Sequence, residues 1–210
     1  MPLDLEEQEQ LAELKAWWKQ NGPLLLALAC AVAIALAGWQ GWRWYQRSQA
    51  LQAGALYETL VKAALANDGK AVRDAAGALI EGYPRTRYAS MGALVAARYL
   101  FDRGDLKNAK AQLQWALEHA PADELRDLAR LRLASVLVDE KSFDEAMALA
   151  EGAPSEPFAA QFAALKGDIL VARNRGADAR AAYRAALEKA DAKNEAFRNS
   201  VQMRLDALGG

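Results

Sequence analysis

The sequence predicts an all-α protein in which one membrane-spanning helix near the N-terminus is followed by a solenoid of antiparallel helix pairs. One observation is an apolar run, because no charged residue stands between Gln20 and Trp42. The other is a set of small residues that recur later in the chain at separations of 37 and then 33 positions. We therefore divide the chain into a short acidic tail (1–22), a transmembrane helix (23–43) and a repeat domain (44–210).

The apolar run has the length and the flanks of a membrane span. A bilayer core of about 30 Å needs about 20 apolar residues in helical form, and "LLLALACAVAIALAGW" supplies most of them. Pro23 fits the first turn of such a helix, where a missing N–H costs little. Amphipathic rings prefer the headgroup level of a bilayer, so we expect those beside the run to form two interfacial belts in contact with lipid. These rings belong to Trp17, Trp18, Trp39, Trp42, Trp44 and Tyr45.

Three other interpretations of the run are open. A soluble core helix with these aromatic residues would show a polar face, which the run lacks. A signal peptide cut at Ala37, or a lipoprotein signal ending at Cys30, would follow a basic region, whereas the region before this run is acidic. Cys30 is therefore interpreted as an inert apolar filler.

The charges do not orient the span. Lys15 and Lys19 precede the run, and Arg43 and Arg47 follow it, so the positive-inside rule gives a tie. From residue 48 onward 22 basic residues balance 22 acidic ones, and the whole chain has a formal net charge of −1. This balance argues against a nucleic-acid partner bound by bulk electrostatics.

The composition also excludes several kinds of chemical site. With a single cysteine and a single histidine, His119, the chain can form neither an internal disulfide nor a Cys/His metal site. No glycine-rich phosphate loop is found, and the acidic pairs at 139–140 and 144–145 are expected to be helix caps and solvated faces. The sequence therefore predicts a protein without catalytic residues, a metal ion or a cofactor.

Three segments of the repeat domain align with one another, at 96–121, 133–154 and 166–190. Their small residues are 12 and then 7 positions apart within each segment. We expect each segment to form two antiparallel helices, with the first small residue at their crossing and the other two where neighbouring units stack. The alternative is a set of unrelated alanine-rich helices. Row by row, the small residues are Ala97, Ala134 and Gly167; Ala109, Ala146 and Ala179; and Ala116, Ala153 and Ala186.

The pattern resembles the tetratricopeptide repeat, whose period is about 34 residues. Residues 104–105 stand at the turn of the first unit and Pro121 closes that unit, as in that family. The second unit has residues 141–142 at the turn and the third has a shifted Gly176, which leaves the geometry of these two turns open but not the repeat itself. A degenerate fourth unit that ends at Pro84 is expected to precede the three.

The last segment of the chain has the pattern of a capping helix. Its apolar residues Phe197, Val201 and Leu205 are spaced for one face of a helix, and Leu208 follows three positions later. An amphipathic helix here would cover the open end of the solenoid, as the last repeat of such an array requires.

The first helices of stacked repeats line a concave face, and we predict a protein-binding groove there. Apolar side chains with few polar groups on such a face suit an amphipathic or extended polypeptide segment. The alternative for each residue is burial in the core. The candidates are Met91, Leu94, Arg98, Phe101 and Asp102 from the first unit, Leu128, Leu131, Ser135 and Val138 from the second, and Gln161, Ala164, Asp168 and Val171 from the third.

Taken from end to end, the chain resembles a known family. An acidic tail runs into "LKAWWKQNG" at 14–22, the span follows, and "GWQGWRWYQ" at 38–46 leads into degenerate tetratricopeptide units. This order closely resembles the YfgM family, the ancillary subunit of the bacterial SecYEG translocon. The resemblance covers essentially the whole chain, and the paired aromatic belts are its most specific part.

The resemblance implies a single-pass protein of the bacterial inner membrane with a cytoplasmic tail and a periplasmic repeat domain. It implies as partners the SecYEG translocon, a membrane-anchored periplasmic chaperone of the peptidyl-prolyl isomerase type, and the unfolded secretory proteins passed between them. A scaffold for another envelope assembly pathway would share the fold and differ only in its partner. A membrane-anchored cell-wall hydrolase is a third hypothesis, and it would require a buried glutamate in a cleft.

Overall fold

The structure, a computed structural model, describes residues 5–209, with side chains described from residue 9 onward. Within that range every regular element is helical, which confirms the predicted all-α fold. A short 3-10 turn, Glu156–Phe158, precedes the seventh helix. The helices are α1 (Leu5–Leu65), α2 (Gly69–Gly82), α3 (Arg87–Phe101), α4 (Leu106–His119), α5 (Asp123–Asp139), α6 (Phe143–Glu151), α7 (Ala159–Ala172), α8 (Gly176–Lys189) and α9 (Glu195–Asp206).

The chain divides into two compact units, and the first of them, Met1–Ser48, contains the predicted span. Of the described helices, α1 is long and apolar enough to cross a membrane. It begins at Leu5, so Pro23 lies inside the helix, and its expected place in the first turn was wrong. The reason is that the tail is itself rich in strong helix formers, leucine, glutamate and glutamine among them, which start the helix early.

The second unit, Gln49–Gly210, is built from helix pairs in chain order. The end of α1 pairs with α2, and α3–α4, α5–α6 and α7–α8 form the following pairs. Leu60 of α1 and Leu79 of α2 are fully buried in one cluster with residues of α3. Gly92 of α3 allows the Leu79 side chain of α2 to lie directly against the α3 backbone, because a Cβ atom at Gly92 would lie 2.6 Å from the Cδ1 atom of Leu79. The first pair is thus the degenerate unit that the sequence predicts before Pro84.

The turns inside the four pairs share one geometry. In each of them one residue has a left-handed backbone, and the N–H of the next residue donates to a carbonyl at the end of the preceding helix, 2.8 to 3.0 Å away. Gly176 was expected at the third turn, but it is already the first residue of α8, and Asn174 takes the left-handed position instead. The left-handed residues are Asn67, Gly104, Lys141 and Asn174, with φ of 60°, 77°, 63° and 59°.

The rows of small residues lie in the core, with one exception. Gly167 sits against the Tyr183 ring, where an added Cβ would be 2.4 Å from the nearest ring carbon. The exception is Ala153, which is exposed beyond the end of α6, so its predicted role was wrong. Pro154 cannot continue a helix and keeps the residue before it out of the helical conformation. Ala150, fully buried, is the last small residue on the inner face of α6.

Helix α9 covers the end of the last pair. Val201 and Leu205 are buried against α7 and α8, and Phe197 and Leu208 are partly buried in the same cluster. The guanidinium of Arg198 also donates to the Leu187 carbonyl at 2.8 Å. The described end of the solenoid therefore presents the outer side of α9 rather than the inner face of a repeat.

Candidate protein-binding site

A pocket of about 240 Å³ opens between the first helices of two successive pairs. Its walls come from α3 and α5, and its floor comes from α4, which packs against both. Four of the lining side chains are apolar and two are arginines. The lining residues are Ala97, Arg98, Phe101, Leu113, Arg132, Ser135 and Val136.

The apolar part of the pocket is preformed by the core. Ala97, Leu113 and Val136 are buried, and Phe101 keeps part of its ring exposed at the rim. The small side chain of Ala97 leaves room where a larger residue would fill the space between the helices. At protein interfaces, anchor side chains of one partner fill pockets of this kind, which are apolar inside with a few polar groups at the edge.

Arg98 and Asp102 stand one helical turn apart on α3, at the edge of the pocket. The Nε atom of Arg98 donates to the Asp102 carboxylate at 2.8 Å. Both side chains are well exposed to water, so a pair of this kind contributes at most about 1 kcal/mol to stability. The pair can therefore open at little cost when a ligand approaches.

Arg132 faces the same pocket from α5. The residue remains exposed to water, but partial burial of its guanidinium, together with the nearby charge of Arg98, lowers the pKa of Arg132. Its one hydrogen bond within the described chain is a long one, 3.4 Å, to the carbonyl oxygen of Leu94. Among residues 9–209, no acidic side chain forms an ion pair with Arg132.

The structure brings together only part of the predicted groove. Arg98, Phe101 and Ser135 line the pocket, and the Ser135 hydroxyl donates to the Leu131 carbonyl. Asp102 adjoins it through its pair with Arg98. Partly buried side chains around the same core are those of Met91, Leu128, Leu131 and Val138.

Two predicted groove residues belong to the core instead. Leu94 is buried between α3 and α5 in the main cluster, and Ala164 is buried in the last cluster. Both point inward because the neighbouring pair packs over the face on which they lie. The groove prediction was therefore wrong for Leu94 and Ala164.

The third unit does not extend the groove as predicted. The carboxylate of Asp168 accepts a hydrogen bond from the Tyr183 hydroxyl at 2.7 Å and pairs with Arg204 of α9 at 2.8 Å. This carboxylate also raises the pKa of Tyr183, although burial of the phenol raises it more. Asp168 thus ties three helices together, and it does not line the pocket between α3 and α5.

The other two candidates of the third unit have separate surroundings. The amide group of Gln161 lies 3.0 Å from the carbonyl oxygen of Pro157, beside the short 3-10 turn. Val171 is exposed near the end of α7. Neither of them lines the pocket between α3 and α5.

Four residues of the pocket lining were not among the predicted groove residues, namely Ala97, Leu113, Val136 and Arg132. Arg132 is the charged one among them. Two signals in the sequence point to it, because it precedes Ser135 by three positions on the same helix and follows Arg98 by 34. The second separation equals the usual period of this repeat, about 34 residues. The alignment of the small residues used 37 instead, which places Ser135 opposite Arg98.

The aromatic residues of α1 form the other candidate surface. All six predicted belt residues are exposed in the first unit: Trp17, Trp18, Trp39, Trp42, Trp44 and Tyr45. Near the end of the apolar run the guanidinium of Arg43 lies 4.7 Å from the centre of the Trp39 ring, a cation–π contact. Rings with a polar edge and a nearby cation suit the headgroup region of a bilayer.

The described part of the chain shows no arrangement of side chains that indicates a catalytic or metal-binding site. The pocket between α3 and α5 has no carboxylate in its lining, and residues 9–209 contain no cluster of three potential metal ligands among histidine, cysteine, aspartate and glutamate. The arrangement offers an apolar cavity with two cations at its edge, which is suited to binding.

Comparison with known proteins supports the same interpretation. A family profile described as a tetratricopeptide repeat-like domain matches residues 15–210. A protein of Neisseria gonorrhoeae is 31% identical over 212 residues, covering 99% of this chain and 100% of its own length. A protein of Haemophilus influenzae is 30% identical over 173 residues, or 82% of this chain and 84% of its own length. One of Escherichia coli K12 is 29% identical over 202 residues, or 96% of each chain. All three are named ancillary SecYEG translocon subunit.

Proposed function

Because this chain belongs to the YfgM family, whose curated relatives are named ancillary SecYEG translocon subunits, we propose that it is a membrane-anchored protein-interaction subunit of such a translocon. The observation that carries the proposal is the extent of the likeness. One relative matches 99% of this chain and 100% of its own length, so both the apolar helix and the repeat domain are shared.

The proposal includes a topology. Residues 1–22 form a cytoplasmic tail, residues 23–43 cross the bacterial inner membrane, and residues 44–210 form a periplasmic domain. The exposed aromatic residues of α1 support the span, and long domains translocate largely regardless of flanking charge. Labelling of single cysteines, introduced as Glu9→Cys or Lys193→Cys in a Cys30→Ala background, tests this topology. An impermeant thiol reagent added from the periplasmic side should label only the Lys193→Cys variant. If it labels only the Glu9→Cys variant, the protein has the opposite orientation in the membrane.

The proposal also assigns partners. The span contacts translocon subunits within the bilayer, and the repeat domain binds unfolded secretory proteins and a membrane-anchored periplasmic chaperone of the peptidyl-prolyl isomerase type. The pocket between α3 and α5 supports binding of polypeptide, because its lining combines apolar walls with polar edges. The absence of a carboxylate from that lining speaks against a cell-wall hydrolase that would act there.

Purification from native membranes tests the translocon assignment. The full chain, extracted in mild detergent, should bring SecYEG subunits and the periplasmic chaperone with it, as identified by mass spectrometry. The control replaces residues 23–43 with an unrelated apolar helix, which should remove the translocon subunits. Recovery of other envelope-assembly proteins without Sec subunits would replace the proposal with a scaffold for a different assembly pathway.

A further inference from the structure

The two arginines of the pocket form an unbalanced pair of charges. Arg98 projects from α3 and Arg132 from α5, and the charge of Arg98 lowers the pKa of Arg132. Both guanidinium groups therefore line the same pocket, and that lining contains no carboxylate. An anion reduces the repulsion between like charges, and the carboxylate of Asp102 provides one negative charge beside the two arginines.

The other two arginines of α5 each form an ion pair with an aspartate of the same helix. Arg126 pairs with Asp123, and Arg130 pairs with Asp127 at 3.1 Å. Within residues 9–209 the third arginine of α5, Arg132, has only the distant Leu94 carbonyl as a partner. The single carboxylate at this edge, that of Asp102, is already bound to Arg98.

We propose that the pocket between α3 and α5 recognises an acidic side chain of a client polypeptide, held between Arg98 and Arg132, with a neighbouring apolar side chain in the cavity. A carboxylate placed there supplies a second anion for the two arginines. It also accepts charge-assisted hydrogen bonds from Arg132, whose guanidinium makes one long hydrogen bond within the described chain. The exposed Arg98–Asp102 pair opens readily, so that both arginines can turn toward the ligand.

The apolar cavity determines which residue stands next to the acidic residue in the recognised segment. Phe101 and Val136 stand in the same lining as the two arginines, and the volume of about 240 Å³ accommodates one large apolar side chain. The recognised unit is therefore an apolar residue next to a glutamate or aspartate. This inference rests on the proposed function, in which a chain emerging from a translocon presents internal segments before its C-terminus, so the carboxylate belongs to a side chain.

A peptide titration on the full chain in lipid nanodiscs tests the inference. The probe is a fluorescent peptide, acetylated and amidated at its ends, with one Leu-Glu pair in a serine-glycine background, and its match carries Leu-Gln. We expect the Glu peptide to bind about tenfold more tightly, or by about 1.4 kcal/mol, because its carboxylate accepts a charge-assisted hydrogen bond that the neutral amide cannot reproduce. Arg132→Gln should lower affinity for the Glu peptide to that for the Gln peptide, whereas Arg184→Gln, which changes an exposed arginine of α8, should have no effect.

Three outcomes would overturn the inference: equal binding of the two peptides, an unchanged preference in Arg132→Gln, or binding that requires a free C-terminal carboxylate. Circular dichroism of Arg132→Gln shows whether the fold survives, and Arg132→Lys, which keeps the charge but not the planar fork, should retain part of the preference. The native-membrane purification is independent of this titration. Co-purified Sec subunits without a Glu preference would reject the inference alone, whereas a Glu preference without Sec subunits would reject the translocon assignment.

Discussion

The two units of this protein use apolar residues in opposite ways. In the first unit, leucines and tryptophans lie on the surface of α1, where Ile34 is 73% exposed and Trp44 is 72% exposed. In the second unit, small apolar residues such as Ala109 and Ala146 are fully buried. Apolar content therefore does not decide burial, because a helix that is apolar on all sides suits lipid and one that is apolar on one face suits a core.

Small residues differ between the units in the same way. In the second unit, Gly167 allows the Tyr183 ring to lie against its helix. In the first, a Cβ atom added at Gly38 or Gly41 would meet no described atom within 4 Å. Small residues in a membrane span permit close approach of another helix. Gly38 and Gly41 therefore leave room for another helix to approach the span.

The largest effect is expected when the two units are separated, because only the first unit should then require a membrane. Residues 49–210, produced without the first unit, should remain soluble and helical and should unfold cooperatively, because their core clusters lie within that segment. The protein should no longer sediment with membranes. Circular dichroism and a flotation assay measure both properties, and aggregation of the separated segment would show that its surface needs the first unit or a partner.

Removal of one aromatic ring from each unit should give unequal effects. Phe162 is 2% exposed and lies under the Arg130 guanidinium, so Phe162→Ala should lower the free energy of unfolding by about 3–5 kcal/mol. Its match is Trp44→Ala in the aromatic belt just after the span, which should change the free energy of unfolding of the repeat domain by less than about 0.5 kcal/mol. Denaturant titration of the full chain in detergent compares the two. Equal losses would break the distinction between buried and lipid-facing rings.

Enlarging a small residue should have an effect that depends on its face of the helix. Ala146→Leu overpacks the contact of α6 with its neighbours and should cost about 1–3 kcal/mol. The exposed Ala148 of the same helix provides the control, because Ala148→Leu should stay within about 0.5 kcal/mol of the parent. Unchanged thermal melting of Ala146→Leu would contradict the alignment of the small residues.

The smallest expected effect comes from the turns of the repeats. Lys141 has a left-handed backbone with φ of 63°, which strains a residue with a Cβ atom. Lys141→Gly should therefore raise the free energy of unfolding by about 0.5–1 kcal/mol, since the relief exceeds the entropy cost of glycine. The reverse change at the equivalent position, Gly104→Lys, should lower it by about 1 kcal/mol. If the two variants shift the melting temperature in the same direction, the turns are not equivalent.

Much of the repeat architecture could be predicted from the sequence because its signals are local. The recurring small residues, the turn at residues 104–105 and the apolar spacing of the last segment each predict an element that the structure contains. Two predictions were wrong because a neighbouring residue had a stronger local preference than the residue on which the prediction was based. Pro154 ended α6 before Ala153, and Asn174 supplied the left-handed turn that was expected near Gly176.

The sequence alone determined that this is an all-α chain with one apolar helix and a repeat domain, because helix length, spacing of apolar residues and small-residue rows depend on neighbours along the chain. Only the tertiary structure decided which side chains of the predicted groove are free. Leu94 is buried in the core, and Asp168 binds Tyr183 and Arg204. Arg132 lines the same pocket as Arg98. The physical reason is that burial and ion pairing depend on which helix packs opposite, and those contacts join residues about 15 to 40 positions apart, beyond the reach of a helical period.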